Sequence, residues 1–106
     1  MKTLHLTLSK KPFEVMITGE KKVEFRKTSE WIKNRLLDKN GNQKAYDVIK
    51  FTNGYGNDKP YFVAEYNSFI INIRTKTIEY SNGLNITAEY GDIEIYLGDI
   101  IEKGNI

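Results

Sequence analysis

The segment GEKKVEFR at residues 19–26 decides most of what this sequence predicts. Gly19 favours the end of a helix, because glycine readily adopts the left-handed conformation found at helix C-termini. The residues after it alternate in character, which indicates a strand in which Val23 and Phe25 anchor one face. The outer face of that strand would then carry three charged side chains, namely Lys22, Glu24 and Arg26. With Lys21 at the junction, such a charge group on a rigid support suits an anionic or nucleobase-like ligand.

A strand and a helix precede this segment, and a second helix follows it. Leucine at every second position of residues 4–8 predicts a half-buried strand. Ser9 can cap the next helix, whose apolar face has helical spacing: Phe13, Met16 and Ile17. Thr28 or Ser29 can cap the second helix, and we expect Trp31 of that helix to lie in the core.

From residue 46 onward the pattern predicts mostly strands. The candidates are residues 46–52, 61–73, 78–81, 84–87, 93–97 and 100–101. Asn82 and Gly83 are typical of a two-residue hairpin turn. About six strands with two short helices in the N-terminal half predict an α+β fold, a small and partly closed β-barrel. A length of 106 residues suits one domain, 1–106.

Composition narrows the class of protein. Without cysteine, disulfides, thiolate metal sites and cysteine catalysis are excluded, and a reducing cytoplasm is compatible with the chain. We see no secretory leader and no apolar run long enough for a membrane helix, so we expect a cytoplasmic protein without a membrane partner. Residues 1–53 carry 12 Lys or Arg and 6 Asp or Glu, whereas residues 54–106 carry 4 and 8. The first half is thus either a phosphate-facing surface or a solvated surface with uneven lysine usage.

Several motifs, taken in order, resemble the ASCH family of the PUA-like superfamily. They are Gly19-x-Lys21-x-x-Glu24-x-Arg26, Val48-Ile49-Lys50-Phe51-x-Asn53-Gly54-Tyr55, Val63-Ala64-Glu65-Tyr66 and Ile95-Tyr96-Leu97-Gly98-Asp99-Ile100-Ile101. With the first strand and helix they cover nearly the whole chain, which most resembles small stand-alone ASCH proteins of bacteria and phages. The resemblance implies a PUA-like β-barrel with helices beside it and a cleft lined by the first motif. It also implies RNA binding, and in some members a ribonuclease-like activity.

One branch of that family removes the acetyl group from an acetylated cytidine nucleoside. Its catalytic set is a lysine, a threonine three residues later and a glutamate on a later strand. By resemblance, Lys21 matches the lysine and Glu65 is the candidate glutamate, while Glu24 occupies the threonine position. Glu65 could then activate water as a general base, or it could be an edge-strand glutamate that discourages sheet pairing.

Six side chains are candidates for ligand contact: Lys21, Glu24, Arg26, Asn53, Tyr55 and Lys10. Lys21 can hold a phosphate or a base carbonyl as a fixed cation, and Arg26 can clamp a phosphate. Glu24 can accept a hydrogen bond from an exocyclic amine, and Tyr55 can stack on a base. Ordinary interpretations remain open for the same residues: an exposed lysine, a surface ion pair and routine turn chemistry.

Three functional hypotheses follow. The first is a domain that binds RNA or a nucleotide in a cleft, recognising a phosphate and an unpaired base. The second is a hydrolase that acts on a modified nucleoside or on RNA, and the third is a phage or mobile-element effector that binds a host protein or a nucleotide. His5 is the only histidine, which argues against histidine-based catalysis. No residue grouping has metal-ligand spacing, and we expect no metal or cofactor.

Overall fold

The computed structural model describes residues 1–106. Neither helix is long and apolar enough to cross a membrane. In chain order the elements are β1 (Thr3–Leu8), α1 (Lys10–Ile17), β2 (Val23–Arg26), α2 (Glu30–Leu36), β3 (Val48–Asn53), β4 (Tyr61–Ile71), β5 (Lys76–Glu79), β6 (Asn85–Ala88) and β7 (Ile93–Gly104).

Five strands form one sheet in the order β1-β3-β4-β7-β2, and this sheet curls into a half-barrel. β1 and β3 are parallel, whereas every other neighbouring pair is antiparallel. β1 and β2 are therefore the two edges of the sheet. The α+β class with a partial barrel and two helices in the N-terminal half, predicted from the sequence, is confirmed.

The concave inner face of this sheet holds the core. Ile49 and Phe51 of β3 stand opposite Ala64 and Phe62 of β4, and all four side chains are buried. α1 packs on the same face, where the ring centroid of Phe13 lies 5.4 Å from that of Phe62. Burial of this apolar surface, at about 25 cal/mol per Å², holds the helix against the sheet.

The two helices begin where the sequence predicts. Ser9 precedes α1, although its side chain makes no capping hydrogen bond, and Ser29 Oγ accepts a hydrogen bond of 3.2 Å from Ile32 N at the start of α2. The prediction that Trp31 lies in the core is wrong. Its side chain is 48% exposed, with the Arg35 guanidinium 3.6 Å from the ring centroid. α2 buries aliphatic side chains instead, and the cation–π contact stabilises the indole at the surface.

β7 is one long strand, where the sequence predicts two pieces. It pairs with β4 along its length. The register between the two strands shifts near residues 63–68 of β4, which marks a β-bulge around Gly98. Such bulges add local twist and help a sheet to curl. Pairing on both sides of the bulge keeps the strand continuous.

The remaining two strands, β5 and β6, form a separate hairpin over the convex outer face of β2 and β7. Lys76 Nζ donates a hydrogen bond of 2.7 Å to Glu94 Oε1 of β7. At the tip of the hairpin, Ser81 donates from its backbone N and its hydroxyl to the Glu20 carboxylate. The connection spans residues 80–84, longer than the predicted two-residue turn, with Gly83 at φ +86°. Side-chain contacts thus hold the hairpin against the sheet.

Candidate functional site

The chain reverses direction after α1 and carries Lys21 into the interior. Gly19 adopts φ +87°, and Lys21 N donates to Val15 O of the preceding helix. Lys21 is 1% exposed. Its ammonium donates to Val23 O at 2.6 Å and to Glu24 Oε1 at 3.1 Å, and it lies 3.6 Å from Met16 Sδ. Three protein acceptors therefore surround the three protons of this group.

Glu24 and Arg26 lie on the inner face of β2, which corrects the predicted orientation of this strand. Glu24 stands opposite Ile95 and Arg26 opposite Ile93, both of which are core residues. The alternation was predicted correctly, but the charged side faces inward. The β5–β6 hairpin explains why the charged side faces inward. It covers the outer face of β2, so Val23 and Phe25 lie beside hairpin residues such as Ile78 and Tyr80.

The three charged residues form a chain of contacts that ends on the opposite edge of the sheet. Arg26 Nε donates to Glu24 Oε2 at 2.8 Å, so Glu24 accepts from both Lys21 and Arg26. Arg26 Nη2 donates to Thr7 O of β1 at 2.8 Å. Because β1 and β2 are the two sheet edges, this guanidinium spans the open seam of the half-barrel.

Burial controls the electrostatics of Lys21. Loss of hydration lowers the pKa of its ammonium, while attraction to Glu24 opposes that change and the nearby Arg26 guanidinium adds to it. A buried amine with a lowered pKa is the kind of group that can act in catalysis. Here the hydrogen bonds of Lys21 are made to acceptors of the protein itself. This arrangement is typical of a residue that holds neighbouring segments in position.

A cleft opens beside this network, between the C-terminal end of α1 and β7. Its volume is about 500 Å³, and we call it the α1 cleft. The lining includes Ile17, Lys22, Phe62, Leu97, Asp99 and Lys103, together with part of Lys21. The floor is apolar and the rim is cationic. Lys103 makes no ion pair, and Lys22 Nζ lies 4.0 Å from Asp99 Oδ1 with its side chain 58% exposed.

Glu65 lies on the other face of the sheet. It is exposed on the outer side of β4, where it stands opposite Val48 of β3. Its Oε1 accepts a hydrogen bond of 2.9 Å from Asp99 N. A Cβ at Gly98 would come within 2.9 Å of the Glu65 Cβ, so the two residues pack against each other at the bulge. The structure therefore does not bring Glu65 together with Lys21 and Glu24.

The other sequence candidates also lie away from the α1 cleft. Tyr55 is 86% exposed in the loop after β3, Asn53 ends that strand, and Lys10 is exposed at the start of α1. His5 faces outward with Lys50 at a separate hollow of about 310 Å³. No grouping of His, Asp and Glu side chains is suited to a metal ion.

A second hollow, of about 630 Å³, lies on the outer face of β2 and β7 under the β5–β6 hairpin. We call it the hairpin hollow, and its lining includes Val23, Phe25, Lys76, Tyr80, Glu94 and Tyr96. Glu94 is only 2% exposed. The sequence reasoning missed this residue, because a glutamate alternating with isoleucines is typical of a solvated strand face. Tyr96, two positions later on the same face of the strand, was the available indication in the sequence.

In comparisons with protein-family models, with curated proteins and with solved structures, nothing matches this chain.

Proposed function

We propose that this protein is a PUA-like domain of the ASCH type that binds single-stranded RNA or a nucleotide in the α1 cleft. One observation carries the proposal: an apolar floor and a cationic rim meet beside a rigid network of buried charges. A base needs an apolar surface and a phosphate needs cations, and the cleft offers both within about 500 Å³.

The charges of the α1 cleft favour an anionic ligand. Glu24 offsets the charge of Lys21, which leaves Lys22 and Lys103 facing a single carboxylate, that of Asp99. Lys103 stands opposite Phe62 in the β4–β7 register, so its side chain belongs to the same face as the apolar floor. A phosphate on these two lysines would leave a base or sugar over Phe62 and Leu97.

The buried network supports this proposal by keeping the cleft walls in place. Lys21, Glu24 and Arg26 tie the segment after α1 to β2 and then to β1. A binding site gains affinity when its walls are ordered before the ligand arrives. We assign these three residues to the support of the cleft, and Lys22 and Lys103 to ligand contact.

The test is fluorescence anisotropy of a labelled single-stranded RNA. We expect the double variant Lys22→Glu/Lys103→Glu to lose at least tenfold in affinity at low salt. Its log–log salt slope should fall by about 0.7 for each lost phosphate contact. The matched control is Lys33→Glu/Lys39→Glu, which makes the same charge change on exposed residues outside the cleft. Equal losses in both variants would contradict a site in the α1 cleft.

The second candidate function is hydrolysis of a modified nucleoside or of RNA. The observation that favours it is the buried Lys21 beside the cleft, whose pKa burial lowers. The position of Glu65 on the opposite face argues against it. Purified protein would be incubated with acetylated cytidine and with labelled RNA. Turnover by the wild type that disappears in a folded Lys21→Ala variant would favour the enzyme, whereas an inactive wild type would remove this candidate.

A further inference from the structure

The hairpin hollow contains a buried carboxylate that RNA binding in the α1 cleft does not use. We propose that this hollow is a second site, which binds an amino-substituted nucleobase of the adenine or cytosine type. The exocyclic amine of the base donates to Glu94, and the aromatic side chains of the hollow enclose its ring.

Glu94 has one oxygen engaged and one open. Its Oε1 accepts from Lys76 Nζ at 2.7 Å and from the Tyr96 hydroxyl at 3.4 Å. Its Oε2 accepts no hydrogen bond from the protein. The only fully buried side-chain polar atom without a partner is the Tyr66 hydroxyl, so a small part of Glu94 Oε2 stays accessible, and Glu94 lines the hollow. A carboxylate this deeply placed gains from a donor that replaces the lost water.

The walls of the hollow suit a flat ring. Phe25 stands opposite Glu94 in the β2–β7 register, and Lys76 Nζ, which donates to Glu94, lies 5.7 Å from the centroid of the Phe25 ring. Tyr96 and Tyr80 add two more aromatic side chains from β7 and the hairpin. Each stacked aromatic contact with a base contributes to affinity without selecting among bases. The polar groups of Glu94 and Lys76 must therefore select among the bases.

The charges of the hollow favour a neutral ligand. Glu94 and Glu20 face Lys76 and Lys22, while Lys21 is already paired with Glu24. Lys76 is paired with Glu94, and the charges of Glu20 and Lys22 offset each other, so the lining of this hollow has a smaller net charge than that of the α1 cleft. An uncharged base is therefore a better occupant of this hollow than a phosphate.

Glu94 and Lys76 together present one acceptor beside one donor. Lys76 Nζ gives one hydrogen bond to Glu94, and its side chain is 40% exposed, so further protons are free for a ligand. Cytosine and adenine each carry an amine next to a ring nitrogen that accepts. In the same orientation, uracil and hypoxanthine would place a carbonyl oxygen, in place of the amine, against the Glu94 carboxylate.

The experiment is an amide-resolved NMR titration with unphosphorylated nucleosides, which lack the charge that the α1 cleft requires. We expect cytidine and adenosine to shift the amides of Ile78, Tyr80 and Glu94 in a saturable way. Uridine and inosine should bind at least tenfold more weakly. The variant Glu94→Gln should lose the preference, because its amide NH₂ would face the amine. Glu79→Gln, which makes the same change on the exposed side of the hairpin, should keep it.

The outcomes separate this inference from the proposed function. Equal binding of cytidine and uridine to the wild type overturns it, even if Glu94→Gln fails to fold. Shifts confined to residues of the α1 cleft also overturn it, while supporting the site proposed there. Loss of cytidine binding in the hairpin variant Tyr80→Ala, with RNA affinity retained, supports a separate nucleobase site.

Discussion

At the scale of single residues, the buried ammonium of Lys21 is the feature on which the site depends most. Its neighbours Glu24 and Arg26 give one carboxylate two cations, and all of the polar contacts of Lys21 lie within the protein. Desolvating such a group costs free energy, and removing it leaves its charged partner buried without full compensation. Its role is therefore best tested by substitution.

We expect Lys21→Met to lower the free energy of unfolding by about 3 kcal/mol, because Glu24 would stay buried with only Arg26 as a partner. Urea denaturation monitored by circular dichroism measures this. The control is Lys22→Met on the adjacent residue, which is largely exposed and should change stability by less than about 0.5 kcal/mol. If the two variants were equally stable, the buried network would not be a structural support.

Tyr66 provides a prediction for alkaline pH. Its hydroxyl is buried without a partner, and burial, with a smaller contribution from Tyr46, raises its pKa to about 12. Below pH 10 the phenol is neutral in both the folded and the unfolded states. Between pH 10 and 12 the unfolded chain ionises first, so the wild type loses stability with rising pH.

We expect Tyr66→Phe to remove the part of the stability loss at alkaline pH that comes from Tyr66. At neutral pH the variant should be at least as stable as the wild type, because an unsatisfied hydroxyl has been removed. Urea denaturation at pH 8 and at pH 11 measures both effects. An equal loss of stability in variant and wild type on going to pH 11 would show that Tyr66 does not titrate as described.

At the scale of elements, the seam between β1 and β2 is closed by a side chain. Arg26 donates from β2 to Thr7 O of β1, where a complete barrel would have a backbone ladder. Since a hydrogen bond from a charged group contributes about 1.5–3 kcal/mol, this contact is a substantial part of the closure.

We expect Arg26→Lys to weaken the closure, because lysine lacks the fork that reaches Glu24 and Thr7 together. Stability should fall by about 1–2 kcal/mol, and amide hydrogen exchange should accelerate in β1 and β2 more than in β4. Arg74→Lys is the control, since the Arg74 side chain is exposed and makes no ion pair. Uniform acceleration across the sheet would instead indicate a global loss of stability.

The same elements show which parts of the fold were predictable. Alternating leucines identified β1, and helical spacing after Ser9 identified α1, because each pattern depends on one buried face. The orientation of β2 was not predictable in this way, because the hairpin buries its outer face as well. Only the register with β7 reveals that Glu24 faces the core.

The candidate site was predictable only in part. Neighbouring positions placed Lys21, Glu24 and Arg26 together, and the structure brings them into direct contact. Glu65 was expected to join them from a distant strand. That expectation required knowledge of which face of β4 the glutamate occupies, and the bulge beside Gly98 sets this locally. Contacts between distant segments are where a single sequence carries least information.

At the scale of the whole molecule, two hollows of different charge meet at the segment that joins α1 to β2. The α1 cleft is cationic and the hairpin hollow has a smaller net charge, and both include Gly19, Lys21 and Lys22 in their linings. A nucleotide chain that crosses this shared segment could place a phosphate on one side and a base on the other.

The strand order has a consequence for how the molecule assembles. Val23 pairs with Tyr96, so the segment that carries Lys21 and Glu24 finds its sheet partner only after residue 96 has been synthesised. While the nascent chain emerges from a ribosome, these charges stay hydrated. The leucines of β1 stay unpacked until later strands have been made. Pairings this far apart in sequence slow folding. We therefore expect maturation of the site to follow the emergence of β7, and not that of β2.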